Sequence, residues 1–205
     1  EEAKEVIANA MAEVVKEEEQ EADRFSELVA IILEKGINLS TRTISLVGEI
    51  SDETFIAVDR ALSLLETLAA APIILQINSP GGSVSAAIGI VGRMRCSSCE
   101  VNTVGFGQIQ SAAVLLLAAG RKRSVSPYCW LMHHGSSYGA VGKHRDNKSY
   151  MVQVDREEKV WSQWMAKFTK KSADFWLTAT KEASDQYFSP SEAKKVGIVD
   201  TVLKD

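Results

Sequence analysis

A serine hydroxyl becomes an effective nucleophile only when an imidazole can take its proton. The segments carrying serine and histidine at turns are therefore the informative ones in this chain. Ser111 lies in Gly105-Phe106-Gly107-Gln108-Ile109-Gln110-Ser111-Ala112-Ala113, with glycines ahead of it and small residues behind. A serine at a strand-to-helix junction is exposed where the chain turns, and the next backbone N–H is unused by the helix. The GxSxG pattern is missing, and taken alone Ser111 reads more simply as a helix N-cap. Trp130-Leu131-Met132-His133-His134-Gly135 holds two of the three histidines, the third being His144. Neighbours on a strand point to opposite faces. The pair is thus poorly placed to chelate one metal, and His133 is expected to face a site with His134 at the surface or in support. The third segment, Ile77-Asn78-Ser79-Pro80-Gly81-Gly82-Ser83, follows an apolar strand. Paired glycines let backbone N–H groups approach an oxyanion or a phosphate, although PGG by itself is only a turn. It is no P-loop, because the Gly-Lys-Ser/Thr end is missing. Cys96 and Cys99 form a lone CxxC without a second pair or a histidine at ligand spacing, and read as small apolar fillers near a helix end.

The elements that must position these segments alternate. Thr43 to Ile50 is β-rich, Asp52 and Glu53 open a helix running through Leu62–Leu68, and Ile73 to Ile77 is a continuous strand, apolar but for Gln76. The Pro80–Gly82 turn leads into a helix ending near Cys96. A strand is expected over Glu100 to Val104, a helix from about Ser111 to Ala119, and short strands over Lys122–Val125 and Cys129–Met132. Repeated βα units with apolar strands imply a largely parallel sheet covered by helices. Residues 150 to 180 form a long helical region rich in Trp161, Trp164, Phe168, Phe175 and Trp176, which suits burial under their own helices or against another subunit. Ser189–Pro190, followed by Glu192, starts a helix, and Ile198 to Val202 reads as a last strand. Residues 1 to 36 differ: they are acidic, with Glu17, Glu18 and Glu19 in a row. Val6, Ile7, Met11, Val14 and Val15, then Leu28, Ile31 and Ile32, recur at helical spacing. An amphipathic helical segment over 1–36 and one domain over 37–205 follow.

Bulk properties narrow the function classes. The chain has 205 residues, 45% hydrophobic and 24% charged, enough for one substantial core. A net charge of −4 gives no footprint for nucleic acid, and no apolar run reaches the roughly 18 residues of a membrane span. Three cysteines, an odd and small number, together with an acidic rather than basic start, lead to the expectation of a cytoplasmic protein without a signal peptide.

Four segments, in this order, resemble the ClpP peptidase family. Asn78-Ser79-Pro80-Gly81-Gly82 is similar to its NSPGG turn. Gly107-Gln108-Ile109-Gln110-Ser111-Ala112-Ala113, continued by Leu116-Leu117-Ala118-Ala119-Gly120, resembles its GQAASMGAFLLAAG segment. Leu131-Met132-His133 resembles its Met-Ile-His strand, and Asp185-Gln186-Tyr187-Phe188-Ser189 through Gly197-Ile198-Val199-Asp200 its closing DRxxS, PEA and GLVD pattern. The likeness covers about residues 40 to 205. It implies an α/β fold of ClpP/crotonase-like repeated ββα/βα units with a helical handle over about 136–182, here with an extra N-terminal helix. It also implies a serine endopeptidase in which Ser111 is the nucleophile, His133 the general base and acid, and Asp185 the residue orienting the histidine. The backbone N–H groups of Gly82 and Ala112 would form the oxyanion hole, with no metal and no organic cofactor. Polypeptide substrates would be cut inside a homo-oligomeric chamber, a heptameric ring, single or double.

The departures from the family pattern are specific. Ala112 and Ala113 replace its Met and Gly, Gly135 replaces a proline after the histidine, and Ser184 replaces the basic residue that helps couple two rings. An acidic helix stands where the family's axial loop meets an unfoldase, which speaks against a Clp-type ATPase partner. A divergent bacterial or phage-encoded member fits. Two other classes stay open: a catalytically silent ring subunit that scaffolds an active paralogue, and a crotonase-type acyl-CoA enzyme, which would leave the serine, histidine and aspartate unexplained.

Overall fold

The computed structural model describes residues 36–135, 141–181 (backbone only at 179–181) and 185–205, with positions 15, 16, 19–21, 23, 25, 26, 29, 30 and 32. The chain divides into two compact units, Glu1–Asn38 and Leu39–Asp205. In the first, the described positions between 15 and 32 are helical, and Ile37–Asn38 forms a two-residue strand, β1. Most of the proposed apolar stripe (Val6, Ile7, Met11, Val14, Leu28, Ile31) lies outside the described residues, as do 136–140 and 182 of the expected handle.

The second unit is organised by a sheet that forks. Strand β2 (Thr43–Val47) runs parallel to β3 (Ile73–Ser79), and β3 runs parallel to β4 (Val101–Gln110). Ile73, Leu75, Ile77 and Ser79 of β3 are buried while their alternates are half-buried, the pattern of a strand covered on both faces. The first half of β4 (Thr103–Gly105) pairs in parallel with β5 (Arg123–Val125), which pairs with β8 (Thr201–Val202). Its second half (Gln108–Gln110) pairs instead with β6 (Trp130–His133), and β6 pairs antiparallel with β7 (Gln186–Phe188). The strand expected over Glu100–Val104 thus continues to Gln110. The reason is a bulge: Ile77 pairs with Gly105 but Ser79 pairs with Ile109. The Asn78 side-chain oxygen accepts the Gln108 N–H at 3.2 Å, which fixes the looped-out residues. The last strand is shorter than expected, because Ile198 and Val199 are buried in the turn before it.

Helices follow the signals in the sequence. Ser51 caps α1 (Asp52–Leu68) in a capping box with Thr54, and Val58, Ala61, Leu62 and Leu65 form its buried stripe. Helix α2 (Val84–Arg95) packs on α1 and is tied to it by Arg93, which reaches Asp59 and Glu66 at 2.7 Å each. Helix α3 (Ala112–Ala118) is buried throughout. Helix α4 (His144–Phe168) keeps only Val154, Ser162 and Met165 buried, and α5 (Ala173–Lys181) packs on it. Helix α6 (Pro190–Val196) starts with Pro190 behind a Ser189–Glu192 capping box and ends at Gly197, whose φ of 85° gives the left-handed cap.

Arg42 closes the end of α1. Its backbone sits at φ 53°, unusual for a residue with a Cβ. Its guanidinium donates to the carbonyls of Leu65, Ala69, Ala71 and Pro72 at 2.9–3.3 Å and reaches Cys99 Sγ at 3.7 Å. A lysine has no planar fork with which to reach four carbonyls. Arg42→Ala is expected to destabilise the fold by about 2–4 kcal/mol, with Arg42→Lys recovering less than half; chemical denaturation measures both.

Candidate active site

Ser111 stands where β4 ends and α3 begins, at the fork of the sheet. Its N–H donates to the Met132 carbonyl at 2.8 Å, so the β4–β6 ladder reaches the serine itself. The backbone there has φ 53° and ψ −124°, a conformation that costs a non-glycine residue about 1–3 kcal/mol. Its hydroxyl makes no capping bond to α3, so the plain N-cap reading does not hold. Instead Ser111 Oγ lies 2.8 Å from His134 Nε2. With the imidazole proton on Nδ1, the hydroxyl donates to Nε2, the arrangement a general base needs.

The expectation for the histidine pair is corrected. His133, assigned from the sequence as the base, is turned away from Ser111. It is 1% exposed, and its ring meets Trp176 of α5 in a T-shaped contact at 5.1 Å between centroids. Neither of its ring nitrogens has a hydrogen-bond partner among the described residues. Burial pulls its pKa down to about 4, and His134 beside it adds to the effect. The cause is strand alternation: Leu131 and His133 point into the core, while Met132 and His134 face the other side. The antiparallel register then does the rest. His133 faces Gln186, so the next step brings His134 opposite Asp185. The Asp185 carboxylate is 4.0 Å from His134 Nδ1 and half exposed, within electrostatic reach but beyond a hydrogen bond; Tyr187 Oη is 3.5 Å from its other oxygen.

The Pro80–Gly82 turn meets the serine from the β3 side. Gly81 (φ 96°) and Gly82 (φ 143°) occupy backbone conformations that side chains resist. A Cβ on Gly81 would sit 2.6 Å from Ser111 Cβ and 3.0 Å from the Ala112 nitrogen, and one on Gly82 would run into the Ile50 carbonyl. The turn is clamped at both ends. The Ser79 hydroxyl accepts the Gly81 N–H at 3.0 Å, and Ile50 bonds to the Gly81 carbonyl and the Ser83 N–H at 2.8 Å each. These bonds do not use the Gly82 N–H. The Ala112 N–H belongs to the first turn of α3, where a helix supplies no acceptor. The structure therefore brings Ser111, Asp185, Gly82 and Ala112 to one place, and puts His134 there in place of His133. Cys96 is exposed and Cys99 buried, both as free thiols.

Comparison with known proteins identifies the family of the fold. A family model described as Clp protease matches residues 29–205. A solved structure of a ClpP1 point mutant from Listeria monocytogenes superposes with a TM-score of 0.74 at 28% identity, covering 82% of this chain and 94% of that one. The missed residue, His134, had a signal in the sequence. Placing Met on Met, a Met-Ile-His strand falls on Met132-His133-His134, with His133 at the inward-facing position of the isoleucine.

Gly81→Ala should be nearly inert. The added methyl must displace Ser111 or the start of α3, and a loss of serine-probe labelling of at least about 100-fold is expected, the scale of losing one oxyanion donor. Labelling near the wild-type rate in a folded variant would mean the turn does not abut the serine.

Proposed function

Because the chain belongs to the Clp protease family, we propose that it is a serine endopeptidase in which Ser111 attacks the peptide carbonyl, His134 takes and returns the proton, and Asp185 orients His134. The observation that carries this reading is the 2.8 Å approach of His134 Nε2 to a serine hydroxyl made available by its strained backbone. As Ser111 Oγ forms its bond to the carbonyl carbon, its proton passes to Nε2, and the carbonyl oxygen becomes an oxyanion. The Gly82 and Ala112 N–H groups are the donors proposed for it, each worth roughly 3–4 kcal/mol in such sites. Collapse of the tetrahedral intermediate expels the amine, which receives the proton from His134; water then repeats the sequence on the acyl-serine.

The polypeptide class of substrate and the ring-shaped chamber come from the family. Helix α4 lends support to a contact between copies, since Tyr150, Met151, Val152 and Val160 are exposed along it. One observation favours a second reading. The 4.0 Å gap between Asp185 and His134 leaves the imidazole without a bonded orienting carboxylate among the described residues, as in a ring subunit that is catalytically silent.

A fluorophosphonate probe separates the two. An active subunit is labelled at Ser111 and not in Ser111→Ala. His134→Ala is expected to lower peptide hydrolysis by about 10⁴-fold or more, and Asp185→Asn by about 10²–10⁴-fold. Assembly mass is measured on the same samples. Unimpaired hydrolysis by His134→Ala would sink the assignment of the base, and no labelling of the assembled wild type would leave the silent subunit as the answer.

A further inference from the structure

His133 is a titratable side chain in a place suited to an apolar one. A buried neutral imidazole without hydrogen-bond partners is unfavourable, and an imidazolium there is worse unless a counter-charge faces it. The groups around it can be named element by element. The next residue on its own strand is His134. Strand β7 sets the neutral Gln186 opposite it and Asp185 one step further, toward His134. Strand β4 contributes Gln110, in register with Met132, and α3 is apolar throughout. Helix α6 turns Ala193 inward and keeps Glu192, Lys194 and Lys195 exposed. Helix α5 brings Trp176, fully buried, and keeps Asp174 exposed. The indole is fixed from its other side, where Nε1 donates to Thr169 Oγ1 at 2.9 Å. Among the described residues, the charge acting most directly on His133 is thus that of His134, of its own sign when both are protonated.

We propose that His133 is a positioning residue that holds His134 against Ser111 through its contact with Trp176, and that protonation of His133 breaks this contact and withdraws His134 from the serine. The two histidines share one strand end and point to opposite faces, so expelling one side chain from the core turns the other out of line. The sign of the pH effect follows from burial. The packed ring titrates at about 4, and a released one near the ordinary value of about 6.5. The stabilisation is complete above about pH 6.5 and is lost as the pH falls from there through about 4. His134 must itself be neutral to accept the Ser111 proton, so two separate protons switch the site off in the same direction.

The activity part of this inference rests on the peptidase reading; the tryptophan part does not. The test compares the full chain with His133→Ile, and with His133→Leu as a second variant should the first not fold, in peptide hydrolysis and tryptophan emission between about pH 8 and 4. Wild type is expected to lose hydrolysis more steeply than one proton allows, and His133→Ile to follow a one-proton limb. At about pH 5 the variant should keep at least about threefold more of its pH 8 rate than wild type keeps. Breaking the contact removes the ring packed on the Trp176 indole, so wild-type emission should change reversibly over the same range. That change should vanish in both His133→Ile and Trp176→Phe. Identical acid limbs in wild type and variant, or an emission change that survives His133→Ile, overturns the proposal. If none of the proteins hydrolyses peptide at any pH, the peptidase reading falls, and the emission titration alone decides whether protonation breaks the His133–Trp176 contact.

Discussion

A single backbone hydrogen bond, from the Ser111 N–H to the Met132 carbonyl, joins the two halves of the site. It extends the β4–β6 ladder one residue beyond β4, into the serine that opens α3. Everything else is referred to it. Because Met132 is fixed against Ser111, the following residues of β6 must pass directly by the hydroxyl, and alternation decides which side chain faces it. The strained backbone of Ser111 persists because neighbours on three sides leave it no room to relax: β6 through this bond, the Gly81 backbone in close contact, and α3 buried behind it.

The bulge in β4 is what makes this arrangement reachable. Pairing of β4 with β5 ends at Gly105 and pairing with β6 begins at Gln108, on either side of the bulge. The extra residues between Gly105 and Ile109 shift the strand, so its first half serves the main sheet and its second half serves β6 and β7. Asn78 holds the bulge from β3, and one residue later Ser79 holds Gly81. One short stretch of β3, Asn78 and Ser79, therefore sets both the strand that carries Ser111 and the turn that faces it.

Much of this was legible in the sequence. The helix starts at Ser51 and Ser189 carry capping residues at the right offsets, and the glycine turn, Ser111 and Asp185 stand in segments singled out together by their resemblance to the family's motifs rather than by local chemistry alone. The histidine was not legible from chemistry alone. A strand of four residues with histidine at its last position and another just beyond it has no internal marker of which face is inward. That choice is made by the pairing of β6 with β7, and the register of two strands more than fifty positions apart is a tertiary fact. The bulge is hidden for a similar reason: Gly105-Phe106-Gly107 has the composition of a turn, and partners from other strands keep it within β4, Ile77 and Val125 by pairing with Gly105 and Asn78 by accepting the Gln108 N–H.

The histidine pair also exposes a conflict between packing and charge that the fold has resolved in favour of packing. An isoleucine at position 133 would meet Trp176 without leaving unpaired nitrogens. The imidazole there gives up two hydrogen bonds that water would have made, a penalty of about 1–3 kcal/mol for each buried group. Stability alone does not favour such a residue, and the gain must be sought in what histidine can do and isoleucine cannot, which is to take up a proton as the pH falls below its ordinary pKa. Its location, one residue before the imidazole that meets Ser111 and against a helix anchored through Thr169, sets any such change directly beside the candidate site.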